Sequence, residues 1–274
     1  MNGLDLRPLS LGEILDRTFT IYRRHFVLFI GIAAIPQIIV LAFQLVQLAL
    51  QQNHSRTAIF SFSSLAAVLL LAIVSIVAYL FAQGGTIFAI SEIYLGRSTT
   101  ILEALQRVRG NLGFLFGVVV LNGLAISVGT ILLVIPGIYI ACRLLVCVPV
   151  ALIEERGPRD SLTRSWDLTK DNAGRAFMIF LLYVAIGIAA NLLFTYPFSF
   201  VMIRATLEGR APFMWLALTQ VGAHIAAILT QPVLLLATSI FYYDLRVRKE
   251  AFDLQLMMNP GSVPSAPGSL PSIL

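Results

Sequence analysis

Long stretches of this chain carry no formal charge: 26–50, 57–91, 110–142, 176–203 and 211–243. A helix needs only about 20 apolar residues to cross the hydrocarbon core of a bilayer, so each stretch predicts at least one crossing. The cations fall on alternate gaps. Arg7, Arg17, Arg23 and Arg24 precede the first stretch; Arg97, Arg107 and Arg109 follow the second; Arg156, Arg159, Arg164, Lys170 and Arg175 precede 176–203; Arg246, Arg248 and Lys249 follow the last. The other gaps hold Arg56, and Arg204 with Arg210, while Arg143 alone lies inside a predicted span. Lys and Arg concentrate in cytoplasmic loops, so the pattern predicts a multi-pass protein of the cell (cytoplasmic) membrane with both termini cytoplasmic.

Composition points the same way: 58% hydrophobic against 12% charged residues is more than a soluble core uses. The first stretch begins behind Asp5, Glu13 and Asp16 and ends on no small-residue cleavage site, so it reads as a permanent span and not a cleaved signal peptide. The net charge of +5 is dispersed along the membrane boundary and lacks any nucleic-acid-binding motif. Membrane lipids, with anionic headgroups foremost, are the partners this distribution implies, and nucleic acid is not. The cysteines Cys142 and Cys147 suit neither a metal site nor a local disulfide and read as packing residues.

Between 110 and 153, Pro136 and Gly137 mark either a kink or a turn. Charge parity selects the turn, because only six spans put all the basic segments on one side. A fourth span over 138–153 would be about 24 Å long at 1.5 Å per residue, implying local thinning or a start within the proline turn.

An internal repeat underlies this topology. Glu13-Ile14-Leu15-Asp16-Arg17, Glu103-Ala104-Leu105-Gln106-Arg107 and Asp160-Ser161-Leu162-Thr163-Arg164 each place an acid four residues before an arginine, ahead of an odd-numbered span. That order favours an ion pair on a helix surface, with the acid in the first turn where the dipole helps. Ser10 with Glu13, and Thr100 with Glu103, have capping-box spacing. Leu11, Ile14, Leu15, Phe19 and Tyr22 fall on one face of the first copy and charged residues on the other, the pattern of an amphipathic interfacial helix. The expectation is an all-α polytopic bundle with six transmembrane helices in three two-span repeats, each preceded by a cytoplasmic interfacial helix. The units are about 5–95, 96–154 and 155–250, within one membrane domain over 1–256. The Pro-, Ser- and Gly-rich tail 257–274 is expected to be disordered.

Candidate sites are few. Arg143 is a costly charge within a span, counted at about 10 Å from the outer side along a 1.5 Å rise. Asn122, Asn191, His224, Gln220 and Gln231 add polar atoms to spans, as helix-to-helix glue or as the lining of a path. Arg17, Arg23, Arg24, Arg107 and Arg164 are the lipid-headgroup candidates. Glu92, Glu154, Glu155 and Asp244 stand at the ends of even spans, where ion pairing is expected. Pro36, Gly84-Gly85, Pro197 and Pro232 could interrupt helices. No His-Glu-x-x-His, Gly-x-Ser-x-Gly or P-loop motif occurs, and the three histidines lie on different segments. No enzyme activity, cofactor or metal is expected.

Four motifs carry a family resemblance: Leu6-Arg7-Pro8-Leu9-Ser10-Leu11-Gly12-Glu13-Ile14-Leu15-Asp16-Arg17, Ile135-Pro136-Gly137-Ile138-Tyr139, Glu155-Arg156-Gly157-Pro158 with Ser165-Trp166-Asp167-Leu168-Thr169, and Tyr242-Tyr243-Asp244-Leu245-Arg246. Together they resemble the membrane domain fused to some bacterial glycerophosphoryl diester phosphodiesterases, and its stand-alone prokaryotic counterparts. In fused members the hydrolytic residues belong to a separate soluble domain, so the resemblance implies no activity for this chain. A lipid-associated scaffold follows as the expectation. A permease or lipid transporter, with Arg143, Asn122, Asn191 and His224 lining a path, is the alternative, as is an anchor for a separate hydrolase. A protein partner or a second copy of the chain fits any of these.

Overall fold

In the computed structural model, residues 8–52, 62–94, 96–208 and 213–250 are described. The predicted tail, Arg7, Arg56 and Arg210 lie outside them. The described residues form helices α1 (Leu11–Arg24), α2 (Phe26–Gln52), α3 (Phe62–Tyr94), α4 (Ile101–Arg109), α5 (Leu112–Leu132), α6 (Val134–Arg143), α7 (Cys147–Ile153), α8 (Pro158–Leu168), α9 (Ala173–Phe194), α10 (Tyr196–Leu207) and α11 (Phe213–Glu250). Among the described residues six helical segments are long and apolar enough to cross a membrane: Phe26–Ala49, Leu65–Tyr94, Leu112–Leu132, Val134–Ile153, Ala173–Phe194 and Phe213–Glu250. The chain is a helical, multi-pass membrane protein.

Several boundaries differ from the sequence reading. The turn between the third and fourth spans sits at Leu133, in extended conformation, so Pro136 falls in the first turn of α6. A proline there removes an N–H that has no intrahelical partner anyway, so the helix begins ahead of it and the fourth span reaches 20 residues. The two arms of this hairpin lie close: a Cβ on Gly137 would stand 2.7 Å from the Thr130 Cα. Helices α2, α3 and α11 run uninterrupted through Pro36, Gly84-Gly85 and Pro232. Only Pro197 coincides with a break, at Thr195 between α9 and α10. The glycine pair lets α4 close onto α3, since a Cβ on Gly84 would meet Val108 and one on Gly85 would meet Leu105.

One break was not foreseen. The fourth span stops after Arg143 and resumes at Cys147, which removes the helical partner of the Arg143 carbonyl. The Ser165 and Thr169 hydroxyls of α8 supply replacements, at 3.0 and 2.8 Å. Unpaired backbone in a membrane is expensive, so this pairing fixes both the break and the docking of α8. Cys142 and Cys147 flank it as buried free thiols.

Helix α11 is the central shaft. Its 38 residues extend about 57 Å at 1.5 Å per residue, nearly twice a hydrocarbon core of about 30 Å. Its C-terminal half is buried continuously from Leu235 to Val247. Contacts with α1, α3, α7, α8 and α9 enclose it. Helix α1 runs beside this shaft: Asp244 accepts the Leu9 N–H at one end of α1, and the Tyr22 hydroxyl donates to the Leu229 carbonyl at the other. Short helices α1, α4 and α8 thus gather around the end of the bundle where α3, α7 and α11 finish.

Candidate functional site: the charged end of the bundle

The capping boxes foreseen at α1 and α4 are both formed. Ser10 and Thr100 each accept the N3 backbone N–H, and Glu13 and Glu103 reach back to the cap N–H at 2.6 and 2.8 Å. Those hydrogen bonds with Thr100 hold the Glu103 carboxyl below its usual range. Helix α8 lacks this device and starts instead with Pro158 behind Gly157.

The arginines of the repeated motif take partners outside their own helices. Arg107 pairs with Glu92 at the end of α3, at 2.7 Å. Arg164 pairs with Glu154 at 3.1 Å and with Glu250 at the end of α11. Arg17 hydrogen-bonds the Tyr94 side chain. The acids at these motif positions are committed to caps in α1 and α4, and the arginines tie short helices to span ends. Burial works against the Arg164 charge; hydrogen bonds and charge attraction from Glu250 and Glu154 outweigh it, and the guanidinium is held above its ordinary range.

Two buried carboxylates organise this end. Glu154, 4% exposed, accepts from Arg156 at 2.6 Å, from Arg164, and from the Tyr242 hydroxyl at 3.0 Å, with Arg246 at 4.0 Å. Asp244, 2% exposed, accepts from Leu9 N–H at 2.7 Å, Arg175 at 2.8 Å and Arg248 at 3.0 Å. Arg175 and Arg248 also donate to the Leu9 carbonyl. Charges buried in this way are tolerable because every carboxylate meets more than one cation or donor. The sequence reading placed both acids at span ends but missed Arg175 as a partner of Asp244, Arg246 as one of Glu154, and Glu250 as the second carboxylate on Arg164 and Arg246. The i,i+4 spacings Asp244 to Arg248 and Arg246 to Glu250 were the visible signal.

Arg143 closes α6, ten residues beyond the turn at Leu133. The break after it turns its side chain toward α8, at the charged end. It is 6% exposed, donates to the Trp166 carbonyl at 2.7 Å, and lies 4.5 Å from the Trp166 ring centroid and 5.9 Å from that of Tyr139. Its Nε is buried without a partner. Arg143 lines an open cavity of about 640 Å³ with Tyr139, Trp166, Asp167, Lys170 and Asp171.

The remaining intramembrane candidates do not join it. His224 of α11 sits between two glutamines of α2, with Nδ1 2.6 Å from Gln37 and Nε2 3.0 Å from Gln44. Sequence reasoning missed these glutamines, although their seven-residue spacing places both on one helix face. Asn191 bonds locally, donating to the Gly187 carbonyl and accepting from the Thr195 hydroxyl at the α9–α10 break. Asn122 keeps one buried oxygen unpartnered. Among the lipid-headgroup candidates Arg23 and Arg24 are exposed, whereas Arg107 and Arg164 are engaged with carboxylates. Among the described residues no group of three or more His, Cys, Asp or Glu side chains could hold a metal.

No protein-family model, curated protein or solved structure matches this chain.

Proposed function

We propose that this protein is a non-enzymatic, lipid-associated scaffold of the cell membrane, with both termini cytoplasmic. Its three short helices form a collar at the headgroup level in front of successive two-span units. The stand-alone membrane domain that the sequence motifs resemble is the architecture we assign to it. The observation that carries this reading is the division of labour among the collar arginines. Arg107 and Arg164 lock the collar to span ends. Arg23, Arg24, Arg109 and Arg159 are exposed, free to meet anionic headgroups. A cation near an anionic leaflet is worth about 1 kcal/mol, so four of them can enrich acidic lipid around the protein.

Purification of the full chain in native lipid particles, followed by lipid mass spectrometry, tests the reading. Replacing Arg23, Arg24, Arg109 and Arg159 together by glutamine should lower anionic lipid enrichment by about ten-fold or more. Unchanged enrichment would overturn the scaffold's lipid contact.

A further inference from the structure

We propose that the cavity beside Arg143 is a discrete binding site for a phosphodiester that carries an ammonium group, with a zwitterionic phospholipid headgroup as its occupant. The inference rests on the lipid-associated reading and gives it a specific ligand. Three features of the cavity supply the phosphate half. Arg143, nine-tenths buried, lines the cavity with an Nε that has no partner, and its side chain makes a single hydrogen bond, to a backbone carbonyl. A buried guanidinium with an unpartnered Nε and no ion pair among the described residues is incomplete, and an oxyanion completes it. Lys170 is exposed on the same cavity. Ala173 and Gly174, also lining it, open the 22-residue helix α9, whose N-terminus no side chain caps. Free N–H groups and the dipole at such a terminus favour an anion.

The second half comes from Asp167 and Asp171 on the same wall. A purely anionic ligand would be repelled by them, whereas an ammonium one ethyl unit from the phosphate meets them. The cavity's surroundings favour the lipid form. Tyr139 and Trp166, packed edge to face at 6.0 Å, expose half or more than a third of their surface. Ile138 on α6 and Phe177 and Met178 on α9 present apolar side chains on the helices flanking the mouth. Gly174 has open space where a Cβ would stand, so the cavity wall is not filled at that point.

Trp166 reports directly, because Trp215 is the other tryptophan and can be replaced. In the full chain carrying Trp215→Phe, in non-ionic maltoside micelles, brominated phosphatidylethanolamine should quench Trp166 at concentrations at least about ten-fold lower than brominated phosphatidylglycerol. Lys170→Glu, at an exposed residue, should raise the required concentration by a similar factor, and so should Arg143→Gln. Asp167→Asn with Asp171→Asn should erase the preference while leaving phosphatidylglycerol quenching intact. Equal quenching by both lipids, indifferent to Lys170→Glu, would overturn the site. Soluble glycerophosphoethanolamine displacing the brominated lipid as tightly as the lipid binds would assign the same chemistry to a soluble source; no displacement assigns it to lipid. The collar variants of Arg23, Arg24, Arg109 and Arg159 should leave this quenching unchanged, so the two readings fail separately.

Discussion

At the charged end, every residue of α11 from Leu235 to Val247 is buried, and Glu154 and Asp244 each gather several cations or donors. At the opposite end, the α5–α6 turn carries Ile131 at 85% exposed, Leu133 at 68% and Ile135 at 82%. The contrast follows from the solvent. Lipid tails are as apolar as leucine, so turning these side chains outward costs nothing and turning them inward gains little. What holds helices together in a bilayer is polar pairing and close backbone approach. The charged end uses the first, through carboxylates shared among α1, α7, α8, α9 and α11. The opposite end uses the second: a Cβ on Gly137 would crowd the Thr130 backbone, and one on Gly222 would collide with the Phe194 carbonyl where α9 ends.

Removal of the Asp244 carboxylate should expose this difference most strongly. Asp244→Ala strips two arginines and the Leu9 N–H of their shared acceptor and leaves Arg175 partly buried beside no anion. Breaking a buried ion pair from one side costs about 3–5 kcal/mol. Ile135→Ser, at the exposed turn, should stay within about 0.5 kcal/mol, as surface changes do. Equilibrium unfolding in detergent compares them, and equal losses would erase the contrast between the ends.

Gly222 tests the second mechanism at a smaller scale. The α9–α10 break places the Phe194 carbonyl where a side chain on α11 would be. Overpacking of this kind typically costs about 1–3 kcal/mol. Gly222→Ala should therefore lower the melting temperature, while Gly187→Ala, with open space at its Cβ position, should not. A harmless Gly222→Ala would mean that the α9–α11 approach relaxes freely and is no structural contact.

These differences also explain what the sequence could disclose. Six spans were legible because charge gaps and apolar length report on the bilayer, a solvent whose thickness is known. Caps at Ser10 and Thr100 were legible because the capping box is a local pattern of four residues. The break after Arg143 had a local signal that the sequence reading passed over: Pro149, in the first turn of α7, has no N–H for the Leu145 carbonyl and its ring crowds that carbonyl, which disfavours helix through 144–146. What was not legible is that hydroxyls of Ser165 and Thr169, more than twenty residues away, hold the freed Arg143 carbonyl. Arg164 misled for a similar tertiary reason: the i,i+4 rule offered Asp160, and tertiary structure offered the more buried Glu154. Pro36 and Pro232 read as interruptions because ring chemistry is local, yet both helices run straight through.

The mildest effect belongs to the α4 cap, at the edge of the charged end where the network thins. Glu103 accepts the Thr100 N–H at 2.8 Å while its own N–H donates to the Thr100 hydroxyl at 3.3 Å. These bonds favour the ionised carboxylate over the protonated acid, which is why the carboxyl is held below its ordinary value of 4.5. A group with a depressed folded pKa binds its proton more readily when unfolded, so its stabilisation is complete above 4.5 and fades as pH falls through the lower folded value. Hydrogen exchange at the first-turn amides of α4 should therefore quicken, relative to the intrinsic rate, on acidification below 4.5. Glu103→Gln, which can still accept a hydrogen bond but has no charge to lose, should flatten that dependence. The amides of α11 between Leu235 and Val247, enclosed on all sides, should stay protected over the same range. If they opened together with α4, the cap and the buried network would be one cooperative unit, and the boundary between the thin edge of the collar and its core would disappear.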